Sequence, residues 1–326
     1  MAGLTTTSGT FAPAEARVAL LRRALEMQPG SPTLLHQLAE ALADAGCEDE
    51  FAATFARAFQ LDPRASLLTF ERVAAAKDEA AVMLRARMRA LLRRGVAVTP
   101  VIAALAVMEA VVGDFDEVAR LVDYGRFFHR QLVASPQLGA GDFHAAFAAE
   151  IRDGLKHRQV GWDHINEARR NNHVMTSALP ASAAFARAMR REVEHYKARI
   201  GSDPANPFTA SSPDEFDLSG WSVLLDGESR HVAHIHPRAW AVGVYYVVQP
   251  EVSRDATAKR GWLRVGIPHE FAARRDTPWP EIWVEPKPGT LVLMPGYFYH
   301  ETTAMRVDEE RISVAFEVTP RGVVGP

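Results

Sequence analysis

Three short segments in the last third of the chain carry most of the structural information: HVAHIHP at residues 231–237, GTLVLMPGYFYH at 289–300 and RIS at 311–313. They lie among runs of β-branched and aromatic residues that are interrupted by Gly, Pro and Asp, a pattern typical of short strands joined by turns. Such runs continue from about residue 220 to about residue 320. The sequence therefore predicts an all-β sandwich or barrel in this part of the chain.

The histidines of these segments are spaced as metal ligands would be. His234 and His236 are two residues apart, and on an extended segment such a pair points to one side because side chains alternate along a strand. His300, on a later strand, could close the same face. An Fe(II) centre that activates O₂ needs two imidazoles and usually one carboxylate on one face, with open positions opposite. A lone histidine beside an apolar strand is more often a packing residue, so the order and spacing of all three matter.

Arg311 and Ser313 form a second pair with alternate spacing, eleven and thirteen residues after His300. Arg311 precedes a largely apolar stretch with Ile312, Val314 and Phe316, and a buried guanidinium is costly unless it meets an anion. Arg binds a carboxylate through two parallel hydrogen bonds, and a hydroxyl on the same face can add another. The pair fits a dicarboxylate co-substrate such as 2-oxoglutarate. The alternative is a partly exposed arginine paired with Glu309 or Glu310.

These segments, together with GVYYV at residues 243–247, resemble the 2OG-Fe(II) oxygenases, the double-stranded β-helix dioxygenases. The resemblance covers roughly residues 221–319. It implies a jelly-roll, cupin-like barrel with flanking helices that holds Fe(II) in its mouth and uses 2-oxoglutarate as co-substrate. By position, the metal ligands and catalytic residues would be His234, His236 and His300, and the residues that hold 2-oxoglutarate would be Arg311 and Ser313. Either Tyr245 or Tyr246 would reach the co-substrate, since only one of two adjacent strand residues faces inward.

One position departs from the broader superfamily, which has Asp or Glu two residues after the first histidine. This chain has His236 there, so the site would carry one less negative charge if three imidazoles hold the iron. Alternatively, His236 lies beside the metal and leaves a coordination position open. His231 could replace one of the pair, and we expect it to lie beside the site or its channel.

The first part of the chain has a different pattern. From Ala14 to about Val133, apolar residues recur three and four positions apart, which predicts amphipathic helices, and residues 155–200 are expected to be mostly helical as well. Pairs of similar residues lie 34 positions apart, such as Ala24 with Ala58 and Pro29 with Pro63. This period resembles the tetratricopeptide repeat (TPR); the alternative is an irregular helical bundle.

We therefore predict an α+β chain of two domains, a TPR-like helical array in residues 1–138 and a dioxygenase domain in residues 139–326. A net charge of −3 without a block of like charge argues against a nucleic-acid surface. The most apolar window, residues 101–112, is too short to span a bilayer and contains Glu109. With one cysteine, Cys47, and no pattern of a signal peptide near its start, the protein is expected in the cytoplasm.

The leading functional hypothesis is an Fe(II)- and 2-oxoglutarate-dependent dioxygenase that hydroxylates its substrate and releases succinate and CO₂. A peptide, protein or amino-acid-like substrate is the first choice, because some peptidyl hydroxylases of this superfamily also join TPR-like helices to such a domain; a small metabolite stays open. The helical region could bind a protein partner. The alternatives are a three-histidine, cupin-type metal protein that does not use 2-oxoglutarate, and a TPR scaffold with an inactive barrel.

Overall fold

The computed structural model describes residues 13–63, 73, 75–76, 78–133, 142–157, 161–163, 168–227, 230–268, 271, 279–305 and 307–321. Helices occupy the N-terminal part, and two antiparallel sheets make up the C-terminal part, so the α+β prediction is confirmed. The helices are α1 (Ala14–Met27), α2 (Pro32–Asp44), α3 (Glu48–Leu61), α4 (Asp78–Arg93), α5 (Thr99–Val112), α6 (Phe115–Leu121), α7 (Tyr124–Phe127), α8 (Phe143–His157), α9 (Pro180–Ile200) and α10 (Pro207–Ala210).

Local sequence signals set the ends of several helices. Ser31 caps α2, its hydroxyl accepting a hydrogen bond from the backbone N–H of Leu34 at 3.3 Å, and proline follows it at the first helical position. Helix α5 ends at Gly113, whose φ of 82° lies in the left-handed region that glycine adopts without strain. Helix boundaries in this part of the chain therefore follow from short-range chemistry.

The strands form two antiparallel sheets. The larger has the order β1-β9-β6-β11-β4-β3-β2 and the smaller the order β5-β10-β7-β8. The strands are β1 (His129–Leu132), β2 (Gly161–Asp163), β3 (Ala168–Asn171), β4 (Phe216–Gly227), β5 (His231–His234), β6 (Ala241–Val248), β7 (Leu263–Val265), β8 (Ile282–Val284), β9 (Thr290–Pro295), β10 (His300–Thr302) and β11 (Val307–Pro320).

Strands β1, β2 and β3 lie where helix was expected, which corrects the prediction for residues 129–132, 161–163 and 168–171. Strand β1 pairs with β9 at one end of the larger sheet, and β2 and β3 extend its other end beyond β4. The reason is tertiary pairing with a distant strand edge, which overrides the local helical pattern.

The two faces of strand β11 have different surroundings. One set of alternate residues, Ile312, Val314, Phe316 and Val318, is fully buried, and Phe316 packs on Phe185 of α9 at 6.5 Å between ring centroids. Alternation places Arg311, Ser313, Ala315 and Glu317 on the opposite face. The strand thus offers one face to the helices and the other to the smaller sheet.

Close packing around Phe316 explains the glycine of the GVYY segment. A Cβ on Gly243 would lie 2.1 Å from Cζ of the Phe316 ring, which is far inside van der Waals contact. Gly220, across β11 on strand β4, would place its Cβ 2.8 Å from the Cβ of Phe316. Glycine at these two positions leaves room for the phenylalanine ring between β11 and the helices.

Helix α5 is buried along almost its whole length, including Glu109. The Glu109 carboxylate accepts hydrogen bonds from Arg85 Nε at 2.6 Å and from Arg89 Nε at 2.9 Å, both on α4. Its apolar residues join one continuous hydrophobic cluster that also contains residues of the sheets. Helix α5 therefore lies between the helical array and the loops of the C-terminal part.

The domain boundary expected at residue 138 lies outside the described residues, so the division into residues 1–138 and 139–326 stays a prediction. Within the described part of the chain, no helix is both long enough and apolar enough to cross a membrane.

Candidate functional site

The structure brings His234, His236 and His300 together at one end of the smaller sheet. His234 is the last residue of β5 and His300 the first of β10, and the two residues are direct partners in the antiparallel pairing of these strands. His236 follows β5 by two residues, as the His-x-His spacing predicts. Each ring could offer one nitrogen atom to a metal, and these three atoms all lie within 4.8 Å of one another.

The Nδ1 atom of each ring already has a polar partner. His234 Nδ1 lies 2.8 Å from the carbonyl oxygen of Val232, and His300 Nδ1 lies 2.9 Å from that of Phe298. His236 Nδ1 lies 2.7 Å from Oε1 of Glu317. Because these partners accept hydrogen bonds, they favour the tautomer with the proton on Nδ1, which leaves Nε2 of each ring with a lone pair for a metal.

Electrostatics keep His300 neutral. Burial lowers the pKa of His300 well below its ordinary value of 6.5, and the neighbouring His234 and His236 imidazoles lower it further. A neutral imidazole is the form that coordinates a metal. His300, the most buried of the three histidines, therefore needs no deprotonation before it binds a metal near neutral pH.

The loop that carries His236 is fixed by contacts with β9–β10 and with the helical part. The backbone N–H of His236 donates to the carbonyl of Gly296 at 3.0 Å. A Cβ on Gly296 would lie 2.2 Å from the carbonyl oxygen of Ala239, so the two loops approach closely. That carbonyl also accepts a hydrogen bond from the Thr99 hydroxyl, at the start of α5, at 2.6 Å.

Arg311 lies on the same face of β11 as Ser313 and Glu317. The residue is 2% exposed; its Nε donates to Gln249 Oε1 at 3.2 Å and its Cζ lies 5.6 Å from the centre of the Tyr246 ring. No carboxylate among the described residues lies within 4.0 Å of it; Glu310 instead pairs with Arg152. Burial lowers the pKa of Arg311, as expected for a cation without a counter-ion.

The two tyrosines of GVYY point in opposite directions. The Tyr246 hydroxyl is buried and has no hydrogen-bond partner within the described residues; burial raises the pKa of Tyr246 to about 12, opposed by the Arg311 guanidinium. Ser313 is the direct partner of Tyr246 in the β6–β11 pairing and is buried as well. Tyr245 faces the helices, where its hydroxyl bonds His144 Nε2 at 2.9 Å. The structure therefore does not bring Tyr245 to the site.

Three further residues lie near the cluster. His231 lies beside the cluster, 6.4 Å from His234 between ring centroids, and is not part of the group of three. Glu317 and Trp221 were missed; the Trp221 ring stacks on that of His236 at 6.0 Å. Glu317 could have been found, because it continues the alternation that links Arg311 and Ser313 along one strand.

The residues present fit the cofactors of an Fe(II)/2-oxoglutarate enzyme. Three imidazole nitrogens close to one another are a donor set that suits Fe(II). A buried guanidinium without a carboxylate partner in the described chain, beside the unpartnered Tyr246 hydroxyl, suits a carboxylate group.

Comparison with known proteins agrees with this fit. Residues 219–317 match the family model described as "Putative 2OG-Fe(II) oxygenase". A comparison with curated protein sequences gives no match. Among solved structures, a Pseudomonas putida prolyl-4-hydroxylase is 17% identical, with a TM-score of 0.44, and the alignment covers 61% of this chain and 96% of that one.

Two further solved structures are similar at low identity. A Trichoplax adhaerens prolyl hydroxylase, in complex with a hypoxia-inducible-factor oxygen degradation domain peptide fragment, is 9% identical, with a TM-score of 0.42 and coverage of 64% of this chain and 91% of that one. HygX from Streptomyces hygroscopicus, with nickel and 2-oxoglutarate bound, is 14% identical, with a TM-score of 0.40 and coverage of 62% and 87%.

The matched residues include every histidine of the cluster and both residues of the Arg311 and Ser313 pair. The match confirms the resemblance and the prediction of Fe(II) and 2-oxoglutarate as cofactors. Residues 219–317 therefore match the 2OG-Fe(II) oxygenase family, and the match indicates an Fe(II)- and 2-oxoglutarate-dependent oxygenase domain in this part of the chain.

Proposed function

We propose that the chain is a hydroxylase in which His234, His236 and His300 hold Fe(II) through their Nε2 atoms. The observation that carries the assignment is that all three Nδ1 atoms are occupied by acceptors while the ligand atoms lie within 4.8 Å of one another. It favours His236 as a direct ligand over a position beside the metal. When bound, Fe(II) and 2-oxoglutarate supply the activation of O₂ that oxidises a C–H bond of the substrate, with release of succinate and CO₂.

We propose that Arg311 binds the far carboxylate of 2-oxoglutarate. Its guanidinium is buried beside the Tyr246 hydroxyl, so a carboxylate there would supply both the missing charge and a hydrogen-bond acceptor. Ser313, on the same face of β11, would add its hydroxyl. The low exposure of all three side chains keeps water out of this end of the pocket, which strengthens the ionic contact.

We propose that the substrate is a peptide, a protein segment or an amino-acid-like molecule. Strand β5, which ends in His234, is an outer strand of the smaller sheet in the described part of the chain. Val232 on this strand is exposed. An extended peptide can pair with such an edge through its backbone, and this would place it next to the candidate metal site.

We also propose that the two sheets form a double-stranded β-helix and that the helical region is TPR-like. Helices α1 and α3 have the same length and lie 34 residues apart at both ends, in agreement with the period seen in the sequence. The helical region would then offer a surface for a protein partner or for part of the substrate. A cytoplasmic location stays a prediction.

The first test needs no substrate. The full-length protein is loaded with Fe(II) without oxygen and titrated with 2-oxoglutarate while the visible metal-to-ligand charge-transfer band is recorded. We expect a saturable band that Arg311→Ala weakens and His300→Ala abolishes. Iron-loaded protein without a band would contradict the proposed 2-oxoglutarate site and favour a three-histidine metal site that does not use 2-oxoglutarate. Peptides that acquire one oxygen atom, detected by mass spectrometry, would then identify the substrate.

A further inference from the structure

The proposed ligands are three neutral imidazoles, so none of them offsets the charge of Fe(II). Sites of this kind usually include one carboxylate ligand, which lowers the net charge of the centre. In this chain a carboxylate lies one contact further out, because Glu317 Oε1 is 2.7 Å from Nδ1 of His236. His236 is also the residue that stands where the superfamily has its carboxylate.

This contact differs in kind from those of the other two histidines. His234 and His300 each bond a backbone carbonyl, which can fix a tautomer but carries no net charge. Only the partner of His236, among these three contacts, is an ionisable side chain. A carboxylate that accepts the Nδ1 proton fixes the ring orientation and makes Nε2 a stronger donor to a metal.

Strand β11 holds Glu317 in position. Glu317 pairs with Val242 of β6 and with Ser219 of β4, so its backbone is held on both sides. The side chains of Glu317 and His236 are 22% and 10% exposed, respectively. Partial burial reduces screening by water, so the negative charge acts on His236 more strongly than an exposed carboxylate would.

We propose that Glu317 is a positioning residue that supplies, through His236, the negative charge that the three-histidine set lacks, and thereby sets the affinity of the site for divalent metal. The proposal rests on the assignment of the three histidines as ligands. Strand β11, which carries Arg311 for the co-substrate, would then also determine the affinity of the site for metal through Glu317.

Glu317→Gln separates charge from geometry. The amide has the same size, and its oxygen can still accept the Nδ1 proton of His236, so the tautomer is kept while the charge is lost. Glu317→Ala removes both. Glu309→Gln is the matched control, because Glu309 lies on the same strand, is exposed and loses the same charge.

The experiment measures the dissociation constant of Co²⁺ for the full-length, metal-free protein by competition with a chelating dye, together with the visible absorption of bound Co²⁺. His300→Ala defines binding at the proposed site, and thermal melts of the metal-free variants confirm that each is folded. We expect Glu317→Gln to weaken His300-dependent binding about 10- to 100-fold, as loss of such outer partners does, and to change the absorption of bound Co²⁺. Glu309→Gln should bind as the wild type does.

Two results would overturn the proposal and are distinguishable. If Glu317→Gln binds Co²⁺ as tightly as the wild type while His300→Ala does not bind, the charge of Glu317 has no role and the ligand assignment stands. If the wild type shows no His300-dependent binding, the ligand assignment fails, and the role of Glu317 fails with it.

Discussion

Replacing Arg311 by methionine is expected to change folding stability and ligand binding in opposite directions. The guanidinium is buried, and the partners found for it in the described structure, Gln249 and the Tyr246 ring, carry no charge. Methionine has a similar length and fills irregular space well. The substitution therefore removes a buried charge that nothing in the described chain neutralises, and it removes the proposed contact with 2-oxoglutarate.

The magnitudes follow from this environment. Replacing buried ionic groups by apolar side chains of similar volume is neutral or stabilising by about 1–4 kcal/mol, and the hydrogen bond to Gln249 is worth about 1 kcal/mol. We expect the free energy of unfolding of the metal-free protein to rise by about 1–2 kcal/mol. Loss of a buried charge contact costs a ligand about 2–5 kcal/mol, so 2-oxoglutarate should bind at least about 30-fold more weakly.

Arg264 provides a matched control, since among the described residues it is an arginine as deeply buried as Arg311. Its Nε donates to Glu281 at 3.1 Å and its Nη1 to Glu301 at 3.0 Å. Arg264→Met leaves both carboxylates without this partner, and we expect the free energy of unfolding to fall by about 3 kcal/mol. Two arginines of equal burial should thus respond with opposite sign.

The assays are urea denaturation in the presence of a chelator, followed by circular dichroism, and calorimetric titration of the Mn²⁺-loaded protein with 2-oxoglutarate. A loss of more than about 1 kcal/mol of stability in metal-free Arg311→Met would refute the reasoning. It would mean that the guanidinium is neutralised within the protein, and that its burial indicates no missing anion.

Three further predictions concern packing, pH and metal. Gly243→Ala should lower the free energy of unfolding by about 1–3 kcal/mol, because the new Cβ meets the Phe316 ring; in urea melts, adding Phe316→Leu should relieve part of this cost, and strict additivity of the two changes would contradict the clash. Burial lowers the pKa of His36, so the unfolded chain takes up a proton near pH 6.5 that the folded chain does not, and stability should fall as the pH drops below about 6.5. In melts at pH 7.5 and 5.5, His36→Leu should reduce this dependence by at most about 1.4 kcal/mol per pH unit, and an unchanged slope would exclude His36 as a source. Mn²⁺ at about 100 times its dissociation constant should stabilise the wild type by about 2.7 kcal/mol, and a similar gain in His300→Ala would place the metal elsewhere.

The proximity of His234 and His236 could be predicted from the sequence, because residues two apart on an extended segment point to one side. His300 joins them through the pairing of β10 with the distant strand β5, which the sequence indicated only through its resemblance to the family. The choice between Tyr245 and Tyr246 could not be predicted in this way. It depends on which face of β6 the helices cover, and that is set by packing against Phe185.

Other features depended on contacts between distant parts of the chain. Strand β1 lies where the sequence predicted helix, and it forms because residues 129–132 pair with the edge of β9. Apart from Glu109, helix α5 has no charged residue, so its sequence gives no clear apolar face and does not indicate which element covers it. Its contact with the loop of His236, through Thr99 and Ala239, follows from the assembled fold.

This position of α5 has a consequence for the study of inactive variants. Thr99 at its start bonds the loop that carries His236, and the carbonyl of Leu121, shortly after it, accepts a hydrogen bond from the Tyr297 hydroxyl at 2.6 Å, three residues before His300. A substitution that shifts this helix would move both loops and lower the occupancy of the metal without touching a ligand. A random screen for lost activity should therefore return variants in residues 99–121 as well as in the barrel, and their activity should recover in excess metal.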